Sequence, residues 1–439
     1  MKKFLTTLFF LIMFLNSLPV SAQDVQRFPK PEFQTDYTQP ILQNPAPRSQ
    51  FIEYFDLFVL ITALSLASYF ALKLRSRRKM FLLMVFSLIY FGFYREGCIC
   101  PVGSIQNVSL ALFDPGYTIP LTVIAFFALP LIFTLFFGRT FCAAVCPLGA
   151  IQDAVVLKPA GVTPWIAQLL GVFPYIYLGL AVLFAATGAG FVICQYDPFV
   201  GFFRFGATFN MIALGISMLI LGTVVARPYC RFLCPYGVLL NWMSRLSKWH
   251  ATISPTECIN CRLCEESCPF GAINKPVETI PENRRASTKR LAVLLVMLPV
   301  IVVSSGWVVS RMHIPLSRQH FTVSLAEEIL LEDTGGRTEI TDETEAFRTS
   351  GKTTEELFAE AQAVRRKFKT GGWILGGFLG FIFCLKLVNM TIFRRQKEYT
   401  TDTGSCFSCA RCFTYCPVEQ VRLGKMDPDE ILKLKQSAQ

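Results

Sequence analysis

Two stretches of this chain carry thiols at a spacing that suits one kind of inorganic chemistry. Cys258, Cys261, Cys264 and Cys268, followed by Pro269, spell C-x2-C-x2-C-x3-C-P, and Cys406, Cys409, Cys412 and Cys416, followed by Pro417, repeat it. Three thiolates so spaced wrap one face of an iron–sulfur cube, and the fourth cysteine of such a run normally ligates the other cluster of a pair. The pattern therefore predicts one [4Fe–4S] cluster on Cys258, Cys261, Cys264 and Cys416 and a second on Cys406, Cys409, Cys412 and Cys268. Zinc knuckles need only two pairs of ligands and leave the repeated C-P unexplained. Disulfides fit poorly on the cytoplasmic side of a membrane, where the orientation argument below puts both runs.

A second group of thiols sits at the edges of apolar stretches. GRTFCAAVCPLGAIQ contains Cys142 and Cys146, and RPYCRFLCPYGVL contains Cys230 and Cys234; both are C-x3-C-P and both follow an Arg. CICPVGSIQ, with Cys98 and Cys100, shares the C-P-x-G ending, so Pro101 and Gly103, Pro147 and Gly149, and Pro235 and Gly237 form a threefold internal repeat. Proline at the first helical position predicts a short helix with the cysteine just ahead of its N-terminus, where thiolate character is favoured. A redox or metal site is expected at Cys142, Cys146, Cys230 and Cys234, with the bound species open; small buried cysteines in a turn motif are the plainer alternative. Cys98, Cys100 and Cys194 fall on the other side of the membrane, where a metal site and a disulfide are the alternatives. Cys384, inside the last apolar stretch, reads as a packed small side chain.

The elements that must position these thiols are membrane helices. Of 439 residues, 52% are hydrophobic and only 17% charged, and the mean hydropathy is +0.44, which is bilayer composition. With three His in the chain, metal chemistry must run mainly on thiolates, and no His falls within a span as a haem ligand. The net charge of +11 does not point to nucleic acid, because the basic residues flank apolar spans, where they set orientation. Lys2 and Lys3, the apolar run to Val20 and the small residues ending at Ala22 predict a secretory signal peptide. Seven later spans are expected near 54–74, 80–94, 118–137, 166–186, 208–226, 291–310 and 373–393, the second being the shortest. Basic loops at Lys73 to Lys79, Arg284 to Arg290 and Arg394 to Lys397 place the mature N-terminus outside and the C-terminus in the cytoplasm of a bacterial inner membrane.

The expected organisation is all-α and polytopic: a signal peptide (1–22), a periplasmic extended segment (23–50), a five-helix membrane domain with C-P-x-G repeats (51–250), and the first ferredoxin half (251–289). A sixth span (290–310), a periplasmic segment (311–371), a seventh span (372–393) and the second ferredoxin half (394–439) complete it. The sixth and seventh spans form an out-and-back hairpin that returns the chain to one side, as a shared two-cluster module requires. Gly372, Gly376 and Gly380, every fourth residue of the last span, predict close helix packing. The SGKT letters at Ser350 to Thr353 imitate a phosphate loop without a preceding strand and carry no such function.

The C-P repeat helices and the ferredoxin-type cysteines together resemble the NosR/NapH-like membrane polyferredoxins, from about Phe51 to Gly424. The resemblance implies electron transfer between the quinone pool or cytoplasm and periplasmic reductase systems. It also implies partners: a periplasmic flavin or haem protein, other membrane subunits and the lipid itself, and no nucleic acid. Because about 30 Å of hydrocarbon is too far for one efficient electron hop, a further iron–sulfur centre within the membrane domain is expected, with a quinone in the same position as the alternative. NosR-type members carry a periplasmic flavin domain; Gln23 to Gln50 is too short for one, so that role passes to another subunit. The competing expectation is a redox-sensing or metal-reducing protein that serves the assembly or regulation of another metalloenzyme. No triad, paired carboxylates or nucleotide fold stands out for substrate catalysis, so the chain reads as one subunit of a redox system.

Overall fold

A computed structural model describes residues 49–97, 101–157, 159–253, 258–276, 284–335, 341–391, 398–427 and 429–431. The expected signal at 1–22, nearly all of the segment at 23–50, and Cys98 and Cys100 lie outside the described residues. The fold is mostly helical. Its main helices are α1 (Gln50–Leu72), α2 (Arg77–Ser87), α3 (Pro101–Phe113), α4 (Leu121–Phe137), α5 (Pro147–Ala154), α6 (Phe173–Thr187), α7 (Phe209–Gly222) and α8 (Pro235–Arg245). They continue with α9 (Arg284–Arg311), α10 (Phe321–Asp333) and α11 (Thr354–Thr391).

Burial in α1 follows the helical period. Leu60, Ala63, Leu64, Ala67 and Ala71 form one buried face, while Phe51, Phe55, Phe58 and Leu66 stay exposed, the arrangement of a helix with lipid on one side and protein on the other. Among the described residues four helices, 51–72, 165–187, 288–311 and 354–391, are long and apolar enough to cross a membrane, and α4 and α7 are shorter apolar helices. The expected second span is broken in character: α2 starts on Arg77, Arg78 and Lys79 and runs on as a wider π-helical segment, Leu88–Tyr94. At 17 residues α4 reaches about 26 Å and at 14 residues α7 about 21 Å, so these two are short of a typical hydrocarbon core of about 30 Å.

The glycine stripe does what its spacing requires. A Cβ on Gly372 would lie 3.1 Å from the Ser310 Cα, and one on Gly376 would strike the backbone of Ser305 and Gly306. One on Gly380 would strike the Ser305 side chain and approach the Ile301 carbonyl. Helices α9 and α11 thus touch backbone to backbone. The helix that carries the stripe is longer than expected, since Thr354–Thr391 is a single element of 38 residues, about 57 Å long. Its N-terminal part packs Leu357 and Ala361 against Val323, Leu325, Ala326 and Ile329 of α10, with Arg365 donating to Glu327 at 2.8 Å.

At the opposite end of this hairpin the two ferredoxin-type halves meet. Strands β1 (Ile273–Asn274) and β2 (Thr400–Thr401) pair antiparallel, Ile273 opposite Thr401 and Asn274 opposite Thr400, and the Asp402 N–H donates to the Ala272 carbonyl at 2.8 Å. The out-and-back path of the chain is therefore closed by a ladder between residues on either side of it.

Overpacking a backbone contact costs about 1–3 kcal/mol. Gly376→Val should accordingly lower the thermal unfolding midpoint of the detergent-solubilised protein. Gly377→Val is the control, because a Cβ there meets Val302 at ordinary distances, its side chain at 3.7 Å and its carbonyl at 4.0 Å, and should leave the midpoint in place.

Candidate metal centres

The two cysteine runs fold by the same local rule. In the first, Asn260 (φ 56°) and Arg262 (φ 65°) adopt the left-handed conformation, and in the second Ser408 (φ 52°) and Ala410 (φ 60°) do so at the matching positions. Each left-handed non-glycine residue costs roughly 1–3 kcal/mol, a strain that marks functional loops. It turns the chain so that three thiols face one space. A short helix follows in each run, Leu263–Ser267 and Arg411–Tyr415, and the two helices pack on each other.

The fourth cysteines cross over. One cavity is lined by Cys258, Cys261, Cys264 and Cys416, with Arg75, Tyr399 and Glu419 at its walls. The other is lined by Cys268, Cys406, Cys409 and Cys412, with Phe270, Phe407 and Ser408. Among the described residues no three Cys, His, Asp or Glu side chains stand close enough together to hold a single metal ion; the thiols surround cavities instead, an arrangement matched to a cluster whose four irons are spread apart. Backbone donors point at sulfur. Ser408 N–H lies 3.4 Å from Cys406 Sγ, the N–H groups of Ala272, Phe270 and Gly271 reach Cys268, and those of Glu419 and Val418 reach Cys416. Burial first, and then the neighbouring thiols, push Cys264 up to about 12. Burial likewise pushes Cys406 up to about 12 against the Ser408 hydrogen bond and the charge of Arg139. Thiols crowded this way become thiolates only beside positive charge, which iron supplies. The donor set, the cradle of N–H groups and the cavities fit a thiolate-ligated cluster at each place.

Beneath the second cavity lie the membrane thiols. Cys142, Cys146, Cys230 and Cys234 are all buried. As the C-P spacing predicts, Cys146 and Cys234 are the N-caps of α5 and α8, each followed by proline in the first turn, and Cys416 caps Pro417–Arg422 in the same way. The two C-x3-C-P units exchange their arginines. The Arg227 guanidinium reaches the Cys142 carbonyl and donates to the Ala143 carbonyl at 3.2 Å. It packs on Gly149, where a Cβ would sit 3.3 Å from Nη1. Reciprocally, a Cβ on Gly237 would lie 3.5 Å from Arg139 Nη2. A guanidinium lies over each of these two glycines, closely enough at Gly149 that a side chain there would force a neighbour to shift.

A further equivalence was not read from the sequence. Gln152 Oε1 accepts from the Tyr229 N–H, one residue before Cys230, at 3.0 Å, and its Nε2 donates to Cys230 Sγ at 3.2 Å. Gln106 accepts from the Ile193 N–H, one residue before Cys194, also at 3.0 Å. Both glutamines are fully buried and both stand five residues after the proline of a C-P-x-G. A Cβ on Gly103 would lie 3.6 Å from Cys194 Sγ. The repeat thus places Cys194 where its second copy places Cys230, and the shared IQ of GSIQ and GAIQ was the signal available for it. Cys194 is exposed and Cys384 is buried, the latter donating towards the Leu294 carbonyl at 3.7 Å.

The ferredoxin-type halves are fastened to the repeats by buried polar contacts. Arg139 donates to the Gly404 carbonyl at 3.0 Å, Ser244 to the Thr403 carbonyl at 2.7 Å, and the Phe270 and Phe407 rings lie 4.6 Å apart over this joint. Asp153 gathers Arg77, Arg227 at 3.4 Å and Arg411 at 3.8 Å. Burial alone would raise the Asp153 carboxyl, but Arg227, Arg77 and Arg411 together hold it well below the usual carboxylate range.

Known proteins match in the same regions. A family described as "4Fe-4S binding domain" matches residues 119–172 and 207–254, which span both C-x3-C-P units, and a second family of that description matches 251–274. An uncharacterized protein of Methanocaldococcus jannaschii is 28% identical over 193 residues, 42% of this chain and 77% of the relative. The putative electron transport protein YccM of Escherichia coli is 26% identical over 156 residues, 32% of this chain and 43% of YccM. The regulatory protein NosR of Pseudomonas aeruginosa is 27% identical over 215 residues, 44% of this chain but 29% of NosR. No solved structure matches the chain.

Replacing Asp153 by Asn should cost about 3–5 kcal/mol, because three guanidiniums then lose a buried counter-charge, and thermal melts of the solubilised protein read this directly. Since the folded carboxyl is depressed, its contribution is complete at neutral pH and is lost only as the pH falls below the ordinary value of about 3.9. The wild-type and Asp153→Asn melting temperatures should therefore converge in acid and diverge above it.

Proposed function

From the membership of this chain in the NosR/NapH-like 4Fe–4S membrane ferredoxins, we propose that it relays electrons between a cytoplasmic or quinone donor and a periplasmic redox partner. The carrying observation is the crossing of the cysteines, three from one run and one from the other around each cavity. Cys258, Cys261, Cys264 and Cys416 would hold one [4Fe–4S] cluster and Cys268, Cys406, Cys409 and Cys412 the other, supplying one-electron chemistry that the side chains lack. The protein's own work is placement: left-handed loops aim the thiols, backbone N–H groups hold the sulfurs, and Phe270, Phe407 and Ile253 exclude water. The basic loops favour a C-terminus, and hence a ferredoxin face, in the cytoplasm of a bacterial inner membrane.

Cys142, Cys146, Cys230 and Cys234 are proposed as a further redox centre, a reading supported by the 4Fe-4S match across both of their segments. Cys98, Cys100 and Cys194 are proposed as its counterpart at the opposite boundary, with a quinone as the alternative carrier there. A periplasmic flavin or haem protein and other membrane subunits complete the proposed partners. The second reading, a regulatory or metal-reducing role in the maturation of another metalloenzyme, takes its support from the relative named as regulatory, NosR.

The purified anaerobic protein should hold at least about eight irons, four for each ferredoxin-type site. Cys268→Ala should remove the signal that depends on Cys406, Cys409 and Cys412 while its sequence neighbours keep theirs; loss of the Cys258 signal alone overturns the crossing. In intact spheroplasts an impermeant thiol reagent should leave apo-form Cys409 unlabelled, and labelling there reverses the orientation.

A further inference from the structure

Among the described residues three arginines are buried, Arg95, Arg139 and Arg227. Two of them have a carboxylate. Arg95 Nη2 lies 2.6 Å from Asp56 and Arg227 Nη2 lies 3.4 Å from Asp153. Arg139, only 5% exposed, has no ion pair among the described residues, and its Nε meets no acceptor. Its remaining contacts are neutral: the Gly404 carbonyl at 3.0 Å, Cys142 Sγ at 3.9 Å, and the face of the Phe407 ring, 4.3 Å from the guanidinium carbon.

A guanidinium stays protonated in proteins, and a buried charge without a partner is strongly penalised, so a negative group belongs beside it. The position of Arg139 says which. Gly404 stands two residues before Cys406 and Phe407 one residue after it, so the charge is laid against the loop that presents Cys406 and Cys409. Arg227 adds a second guanidinium 5.6 Å from the same Phe407 ring, but its charge is already shared with Asp153. At the other cavity Arg75 and Arg422 both pair with Glu419, at 2.7 and 2.6 Å, and Arg262, which also lines it, is exposed to water, where its charge is screened. The surplus positive charge is therefore on the side of the cavity that faces the membrane.

We infer that Arg139 is the counter-ion of the cluster held by Cys268, Cys406, Cys409 and Cys412, and that it makes this cluster the easier of the two to reduce. The inference rests on the two-cluster reading above. A cubane with four thiolates is a net anion whose charge grows by one when it accepts one electron, so a fixed cation stabilises the reduced form more than the oxidised form; net charge is one of the terms that set such potentials. An electron that enters at the cavity lined by Arg262 then comes to rest at the cavity next to Cys142, and Arg139, lying between that cavity and Cys142, favours negative charge on either. Arg139 is a positioning residue in this account. It carries no electron.

The test is a redox titration of the full-length anaerobic protein followed by electron paramagnetic resonance. The two cluster signals are assigned beforehand with Cys268→Ala and Cys258→Ala. Arg139→Gln keeps a donor for the Gly404 carbonyl but removes the charge. It should move the midpoint of the Cys268/Cys406/Cys409/Cys412 signal negative by at least a tenfold change in the reduction constant, about 59 mV for one electron, and leave the other signal in place. Arg139→Lys should restore most of the shift. Equal shifts in both signals, or no shift with both clusters present, overturn the inference. If Arg139→Gln loses the cluster, Arg139→Lys decides: retention near the wild-type midpoint supports a charge role, and loss in both variants overturns it. Wild-type protein without iron and acid-labile sulfide sinks the two-cluster reading itself, an outcome distinct from an unmoved midpoint.

Discussion

One carboxylate, Asp153, shut away from water, ties three distant parts of the chain together. It sits on the helix that follows the second C-P motif and takes guanidiniums from α2, from the start of the third C-P unit and from the last cysteine run, residues 77, 227 and 411. The carboxylate cannot be removed without leaving the fully buried Arg227 short of its counter-charge, and a buried pair is costly to break even where it is not costly to replace. The ferredoxin-type halves are thereby held in one orientation on the repeats. The geometry of both cavities depends on that orientation, because Arg75 and Arg411, which line them, belong to the same joint.

The second dependence is topological. The two cysteine runs are separated by two long helices and the segment between them, yet each cavity needs cysteines from both. Loop closure over such a distance is entropically expensive, and a two-residue β-ladder cannot offset it. The contact of α9 with α11 does most of that work. It is long, and the glycines at 372, 376 and 380 bring the backbones together at three successive turns. The segment beyond the hairpin, with α10 laid along α11, is then an extension of a helix already fixed.

Much of this was legible in the sequence, for reasons that can be named. The crossed cysteine sets follow from a spacing that leaves the fourth thiol out of reach of its own loop. The glycine stripe is a period-four pattern with no use except close approach. Proline after each motif cysteine gives the short helices, since its missing N–H costs nothing in a first turn. Other features were hidden because composition carries no trace of them. The sequence predicts seven spans, the second the shortest, whereas among the described residues four helices are long and apolar enough to cross a membrane and α4 and α7 are shorter; the apolar runs measure residues, while the repeats turn into short helices at the motif cysteines. The continuity of Thr354–Thr391 was masked by its change from polar to apolar halfway. The arginines ahead of Cys142 and Cys230 were noticed, but their exchange between repeats depends on a relation between units that one strand of sequence does not display.

That relation bears on how charge can move through an apolar core of about 30 Å. The repeat unit is a helix opened by C-P, a glycine that lets another residue lie close, and a glutamine that holds the backbone just before a cysteine of a later segment. Its second copy, with Gln152 and Cys230, lies under the ferredoxin-type halves, where Gly138 at the end of α4 touches Ser408. Its first copy, with Gln106 and Cys194, lies past the C-terminal end of α6, where Gly188 approaches His320 of the far segment. Running from Phe173 near Lys386 to Thr187, α6 points away from the ferredoxin face. The same unit therefore stands towards both ends of α6. Irregular backbone at membrane depth is tolerated only when protein buries it, and the buried glutamines satisfy backbone N–H groups that would otherwise face hydrocarbon. The fold thus sets a buried glutamine against the backbone just before Cys194 in the first copy and just before Cys230 in the second.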